Sequence, residues 1–231
     1  MSATTHPVDA IAAARAGGFG LPLQRLPEAG DPGWRPAGAA AADAALREEL
    51  LRSSADATGT GSPMVAATWL LEKHAWHVAA VALGSVLLDG RVPPLERLLV
   101  RDGAEGWVEA LALPGDGWRP GGAKELAAGF EAHLAPLVEE LAAHRARRPL
   151  WRSAGDRLGQ AALWCGEAFG DSARAVRLAA DVLTAPTALR APARFTVHEG
   201  VPFRRRTGCC LSYRCPGEVS CEDCSRVRAA P

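Results

Sequence analysis

The chain has 231 residues, 48% hydrophobic and 23% charged, with Lys+Arg and Asp+Glu both at 26. That length buries a core without disulfide staples. The charge balance leaves no net field to hold nucleic acid or an acidic membrane surface. No window of 18 uncharged apolar residues occurs, so no membrane span is expected. The first residues, MSATTHPVDAIAAARAGG, lack the charged-then-apolar pattern of a secretory signal. The expected location is cytoplasmic, where thiols stay reduced and cysteines serve metal or redox chemistry.

Residues 1–61 are rich in Ala, Gly and Pro and read as a partly looped N-terminal region. A short helix is expected at Val8–Ala16, a wandering loop at Leu21–Gly38 and a helix-prone stretch at Ala39–Leu51. A body follows over 62–203. Ser62-Pro63 opens its clearest helix, with Ser as N-cap and Pro in the first turn. Val65, Trp69, Trp76, Val81 and Leu87 recur along it, Gly84 marks a kink, and Asp89-Gly90 stops it.

Leu98–Arg101 and Trp107–Leu113 read as strands, and a Pro114–Gly117 turn leads to a return strand at Trp118. A helix is expected from Lys124 to about Arg147, interrupted near Pro136. Arg152–Phe169 and Ser172–Leu183 are two more, the second capped by Asp171, and Arg194–His198 alternates like a short strand. The expected class is α+β, a mostly helical body with a small antiparallel sheet. The last part, 204–231, is a cysteine-rich segment expected to pack on the body.

Five of the six cysteines fall within the last 23 residues. Cys221 and Cys224 form a C-x-x-C pair, the usual bite of a tetrahedral thiolate site. Two more thiolates must come from Cys209, Cys210 and Cys215. A single zinc ion sits poorly on the adjacent pair Cys209-Cys210, although Cys210 with Cys215 offers a C-x₄-C pair. A two-iron cluster offers two metal centres and eases the constraint. The plant-type and bacterial ferredoxin spacings are absent, and no Cys-x-His suggests a Rieske centre.

The C-C-x₁₀-C-x₂-C arrangement, with Phe203-Arg204-Arg205-Arg206 before the pair and Leu211-Ser212-Tyr213-Arg214 after it, resembles the C-terminal signature of the FhuF-type ferric-siderophore reductases. The resemblance covers about 25 residues. It implies a [2Fe-2S] cluster on Cys209, Cys210, Cys221 and Cys224. It also implies one-electron reduction of Fe(III) in hydroxamate-type siderophores, with an external ferredoxin- or flavoprotein-type electron donor. Cys215 departs from the pattern and reads as a spare thiol.

Arg204, Arg205, Arg206, Arg214, Arg226 and Arg228 flank the cysteines, against Glu218, Glu222 and Asp223. They are candidates for tuning the cluster or docking a partner, or are a solvated surface. Glu72, His74 and His77 lie close on one helix as a weak metal candidate. His198 is a possible contact to cluster or substrate, Cys165 beside Trp164 reads as a buried small hydrophobe, and one or two tryptophans could line a siderophore cleft. No G-x-G-x-x-G, phosphate loop or G-x-S-x-G occurs. The competing functions are a regulatory or binding protein with a structural Cys₄ zinc site, and a plain iron–sulfur electron carrier.

Overall fold

The computed structural model describes residues 6–18, 20–26, 33–103, 108–190, 194–198, 201–217, 221 and 223–226. Trp107, Glu218, Glu222, Arg228 and the side chain of His198 lie outside the described residues.

The fold is α+β, built on helix α4, Pro63–Asp89. This helix carries apolar or small side chains on nearly every face, so it is buried all round as the central post. Ser62 stands at its N-cap, where its carbonyl, not its hydroxyl, receives the first turn's N–H groups. Gly90, left-handed at φ 64°, ends it where expected. The helix runs unbroken through Gly84. A Cβ there would lie 3.2 Å from Ile11 and 3.3 Å from Phe169, so Gly84 serves close packing.

Helices α1 (Pro7–Ala13), α2 (Ala39–Ala42) and α3 (Ala44–Ala57) precede it. Val8 and Ile11 of α1 join the main core. The expected loop at 21–38 instead contributes two edge strands, β1 (Leu23–Arg25) and β2 (Trp34–Pro36). After α4 come β3 (Arg91–Val92), β4 (Leu99–Asp102), β5 (Val108–Leu113) and β6 (Arg119–Pro120).

The four-stranded sheet has the order β1-β5-β4-β2. It is mixed, because β1 runs parallel to β5 with Leu23 opposite Leu111. The strand expected at Trp118 does not return to this sheet. Trp118 is buried, its indole N–H bonded to the Pro114 carbonyl at 2.8 Å, and β6 pairs with β3 in a separate ribbon.

Helix α5, Ala123–Leu141, passes through Pro136. Pro136 and Ala132, whose carbonyl loses its partner, face solvent, while Leu134, Leu137, Val138 and Leu141 are buried opposite. The freed carbonyl is on the solvent side, and burial of the opposite face offsets the proline penalty of about 3 kcal/mol. The true break falls at 142–146. Helix α6 then starts early, at Arg147, and runs to Phe169 with Pro149 in its first turn. Helix α7, Ser172–Thr184, is capped by the Asp171 carboxylate, which accepts from the Arg174 N–H at 3.0 Å. A hairpin of β7 (Arg194–His198) and β8 (Val201–Arg205) leads into the cysteine segment.

The histidines on α4 go to separate partners. His77 bonds the Lys73 carbonyl at 2.8 Å. His74 Nε2 lies 2.9 Å from Nε2 of His133 on α5, their rings stacked 5.1 Å apart. Burial pushes both of that pair down, His133 to about 4. The folded state then refuses a proton that the unfolded chain accepts at its ordinary pKa of 6.5. Stability is therefore full above pH 6.5 and falls progressively as the pH drops toward 4, by roughly 3 kcal/mol for His133 alone. Urea midpoints at pH 7 and pH 5 should show this loss, and His133→Gln should remove much of it.

Candidate metal centre

Two carboxylates buried in the helical body organise the segment that carries the cysteines. Asp156 on α6 and Glu72 on α4 are 2% and 1% exposed. Neither is tolerable at such burial without cations. Asp156 Oδ1 accepts from Arg204 Nη1 at 2.6 Å and from the Thr207 N–H at 2.8 Å, and Oδ2 accepts from the Gly208 N–H at 2.8 Å. Glu72 binds Arg157 Nε at 2.7 Å and is also paired with Arg206. Burial would raise the Glu72 carboxyl, but Arg157 and Arg206 hold it below its usual range. Burial would likewise lower the Arg206 guanidinium, and Glu72 with Asp156 more than offsets it.

The same arginines reach the second cysteine arm. Arg204 Nη2 lies 2.8 Å from Asp223, and the Arg206 N–H bonds the Asp223 carbonyl at 3.0 Å. Asp223 sits inside the Cys221–Cys224 loop, which closes through a Cys224 N–H bond to the Cys221 carbonyl at 3.0 Å. Both cysteine arms thus hang on one buried network rooted in α4 and α6. Arg204 and Arg206, candidates for tuning, docking or solvated surface, are not solvated: both are buried in this network and line a cavity beside Cys210 and Cys221. Arg205 is half-buried. Arg214 is exposed beside Tyr213, over whose ring Arg226 sits at 4.2 Å.

Glycines let the segment approach α6. A Cβ on Gly159 would lie 2.4 Å from Arg204 Cδ, and one on Gly208 would lie 3.1 Å from Arg152 Cβ. Gly159→Ala should therefore destabilise the protein. Its helix-propensity gain of about 1 kcal/mol is outweighed by overpacking of about 1–3 kcal/mol against a guanidinium pinned at both ends. A melting temperature that rises would show that Arg204 is free to move.

The cysteine pair is fixed by its backbone. The Cys209 carbonyl accepts from Arg145 Nη2 at 2.8 Å, and the Cys210 carbonyl accepts from the Trp69 indole N–H at 3.1 Å. Leu211 then adopts a left-handed φ of 67°, the only described non-glycine to do so, and a 3₁₀ turn at Ser212–Arg214 swings the chain back. Cys215 ends up buried in a small apolar cluster with Val65 and Leu211, and Cys209 packs beside it.

Across the ten-residue spacer, Cys210 Sγ and Cys221 Sγ lie 3.6 Å apart. That is close to the edge of about 3.8 Å expected for a tetrahedron with metal–sulfur bonds of about 2.3 Å. Burial and the Cys210 neighbour push the Cys221 thiol up. Cys210 Sγ also contacts Ser212 Oγ at 2.9 Å, and Cys224 Sγ accepts from the Arg226 N–H at 3.4 Å. Among the described residues, Cys210 and Cys221 stand at the spacing that two thiolates on one metal would have, while Cys209 packs toward Cys215. Cys209 is the next residue to Cys210 and Cys224 a single turn from Cys221. Among the described residues no three Cys, His, Asp or Glu side chains are gathered as one metal-binding group. Cys165 is far from this in character: it is wholly buried, its thiol raised by burial and directed at the Ala80 carbonyl.

A cavity of about 340 Å³ opens beside the pair, lined by Cys210, Cys221, Trp69, Arg157, Phe203 and Arg206 among others. Sequence reading noticed Glu72 only as a weak metal candidate and missed Asp156, Arg145 and Arg157. The available signal was weak: Glu72 follows Leu70-Leu71 but precedes Lys73-His74, and Asp156 lies between Gly155 and Arg157. Each carboxylate, once buried, demands a cation.

No protein-family model matches the chain, and no curated protein matches it. Among the described residues, no helix is long and apolar enough to cross a membrane.

Proposed function

We propose that this chain is a ferric-siderophore reductase of the FhuF type, holding a [2Fe-2S] cluster on Cys209, Cys210, Cys221 and Cys224. The observation that carries the reading is the C-C-x₁₀-C-x₂-C signature together with the 3.6 Å approach of its two arms at Cys210 and Cys221. When bound, such a cluster supplies electrons one at a time.

The chain's own residues do the positioning. Asp156 and Glu72 hold Arg204 and Arg206, and these hold Asp223 and with it the C-x-x-C loop. Trp69 and Arg145 fix the backbone of the adjacent pair. The guanidiniums of Arg145 and Arg206, which interact electrostatically with the cysteines, favour added negative charge at the site. Net, one electron passes from an external donor protein to the chelate. Fe(III) becomes Fe(II), whose lower charge weakens its hold on hard oxygen ligands, and the siderophore is released.

Protein reduced anaerobically and mixed with a ferric hydroxamate and an Fe(II) trap should regain its oxidised visible spectrum as trapped Fe(II) appears. Absence of reoxidation across several ferric chelates overturns the reductase reading. A colourless protein holding one zinc favours the structural alternative.

A further inference from the structure

A second cavity, about 530 Å³, adjoins the cysteine cavity. The two share three wall residues: Trp69, Arg157 and Gln160. Trp76, two helical turns beyond Trp69 on α4 (i, i+7), also lines the second cavity, with Pro22 and Val108 adding to the apolar lining.

We propose that this cavity is the seat of the ferric chelate, with the indoles of Trp69 and Trp76 against its organic shell and Arg157 and Gln160 facing its oxygens. The inference rests on the reductase reading and adds the place and the residues of substrate binding.

Four observations support it. The volume falls in the range of small-molecule sites, roughly 300–1,000 Å³. Its lining combines large apolar surface with a few polar groups, the usual composition of such a site. Charge favours a neutral or anionic, oxygen-rich ligand over an amine. The Glu72 carboxylate is offset by Arg157 and Arg206, Lys73 adds an ammonium to the lining, and burial holds His77 below its usual pKa. Finally, Trp69 joins the two cavities. It lines both, and its indole N–H is bonded to the Cys210 carbonyl at 3.1 Å. A chelate against Trp69 therefore sits next to the residue that carries the electron-delivering thiolate.

The test is calorimetric titration of the cluster-loaded protein with the Ga(III) complex of a linear tris-hydroxamate. It has the charge and shape of the ferric complex but does not turn over. Three proteins are compared: the natural chain, Trp76→Ala and Gln160→Trp. Gln160 is exposed on α6 and accepts a hydrogen bond from Arg157, so its replacement fills the shared rim and removes that one bond while Arg157 keeps its pairing with Glu72. Binding should weaken at least tenfold in both variants while the visible spectrum stays unchanged. Should Trp76→Ala fail to fold, Gln160→Trp decides alone. Equal affinity in the natural chain and in the folded variants places the chelate elsewhere. That outcome overturns the inference and leaves the reductase reading intact. Failure of the natural chain to bind the Ga(III) complex also overturns it. The reductase reading falls with it only if Fe(III) hydroxamates are not reduced either.

Discussion

Asp156→Ala should lower the unfolding free energy by about 3–5 kcal/mol, the expected effect of breaking a buried ion pair from one side. The substitution leaves Arg204, 3% exposed, with Asp223 as its remaining close carboxylate partner. It also strips the Thr207 and Gly208 N–H groups of their acceptor inside a buried loop. Each orphaned donor adds a desolvation penalty of about 1–3 kcal/mol, although these do not sum independently. Against a typical total of 5–15 kcal/mol this is a large fraction. Urea denaturation measures it, with exposed Arg214→Ala as a reference expected to change stability by under about 0.5 kcal/mol. The loop carrying Cys209 and Cys210 should also loosen, so both thiols should react faster with a thiol reagent in the metal-free variant. A loss below about 1 kcal/mol would mean that water reaches Arg204 and that the network is not the anchor described.

Cys210→Ser should abolish the visible absorption, whereas Cys215→Ser should leave it nearly intact. Cys210 Sγ faces Cys221 Sγ at 3.6 Å and lines the cavity, so its loss removes a thiolate from the centre of the site. Cys215 is folded by the 3₁₀ turn into the apolar cluster with Val65 and Leu211. A serine there exchanges a buried thiol for a hydroxyl outside the Cys210–Cys221 pair, and touches stability before colour. Iron and sulfide analysis should give two of each per chain in the natural protein and in Cys215→Ser. Bleaching by Cys215→Ser, with Cys209→Ser still coloured, overturns the assignment. So does stoichiometric zinc without sulfide.

The elements legible in the sequence were those decided locally. Pro63 at the start of α4 and Gly90 at its end, Asp171 before α7 and the alternation of β7 depend on residues within a turn or two. The concentration of cysteines is likewise visible without a fold, because spacing alone limits which thiolates can share a metal. Where local rules failed, a distant partner had outweighed them. Pro136 does not break α5, because the buried leucines opposite it hold the helix together. Residues 23–25 become a strand only because Leu111 and its neighbours offer a parallel edge.

The role of the arginine run was the least legible. Phe-Arg-Arg-Arg in a sequence reads as cluster tuning, a docking patch or a solvated surface, all of which leave the guanidiniums near water. Burial of Arg204 and Arg206 requires carboxylates that lie 48 and 134 residues away along the chain. Nothing in the tail encodes that meeting. Helices α4 and α6 must first pack, bringing Glu72 and Asp156 to one side of the core, before the tail has anything to bind. Sequence by itself determined which thiols are available. Tertiary structure decided that two are brought into contact, because Arg204 and Arg206 of the cysteine segment pair with two carboxylates buried in the body, Glu72 being held by Arg157 of α6 as well.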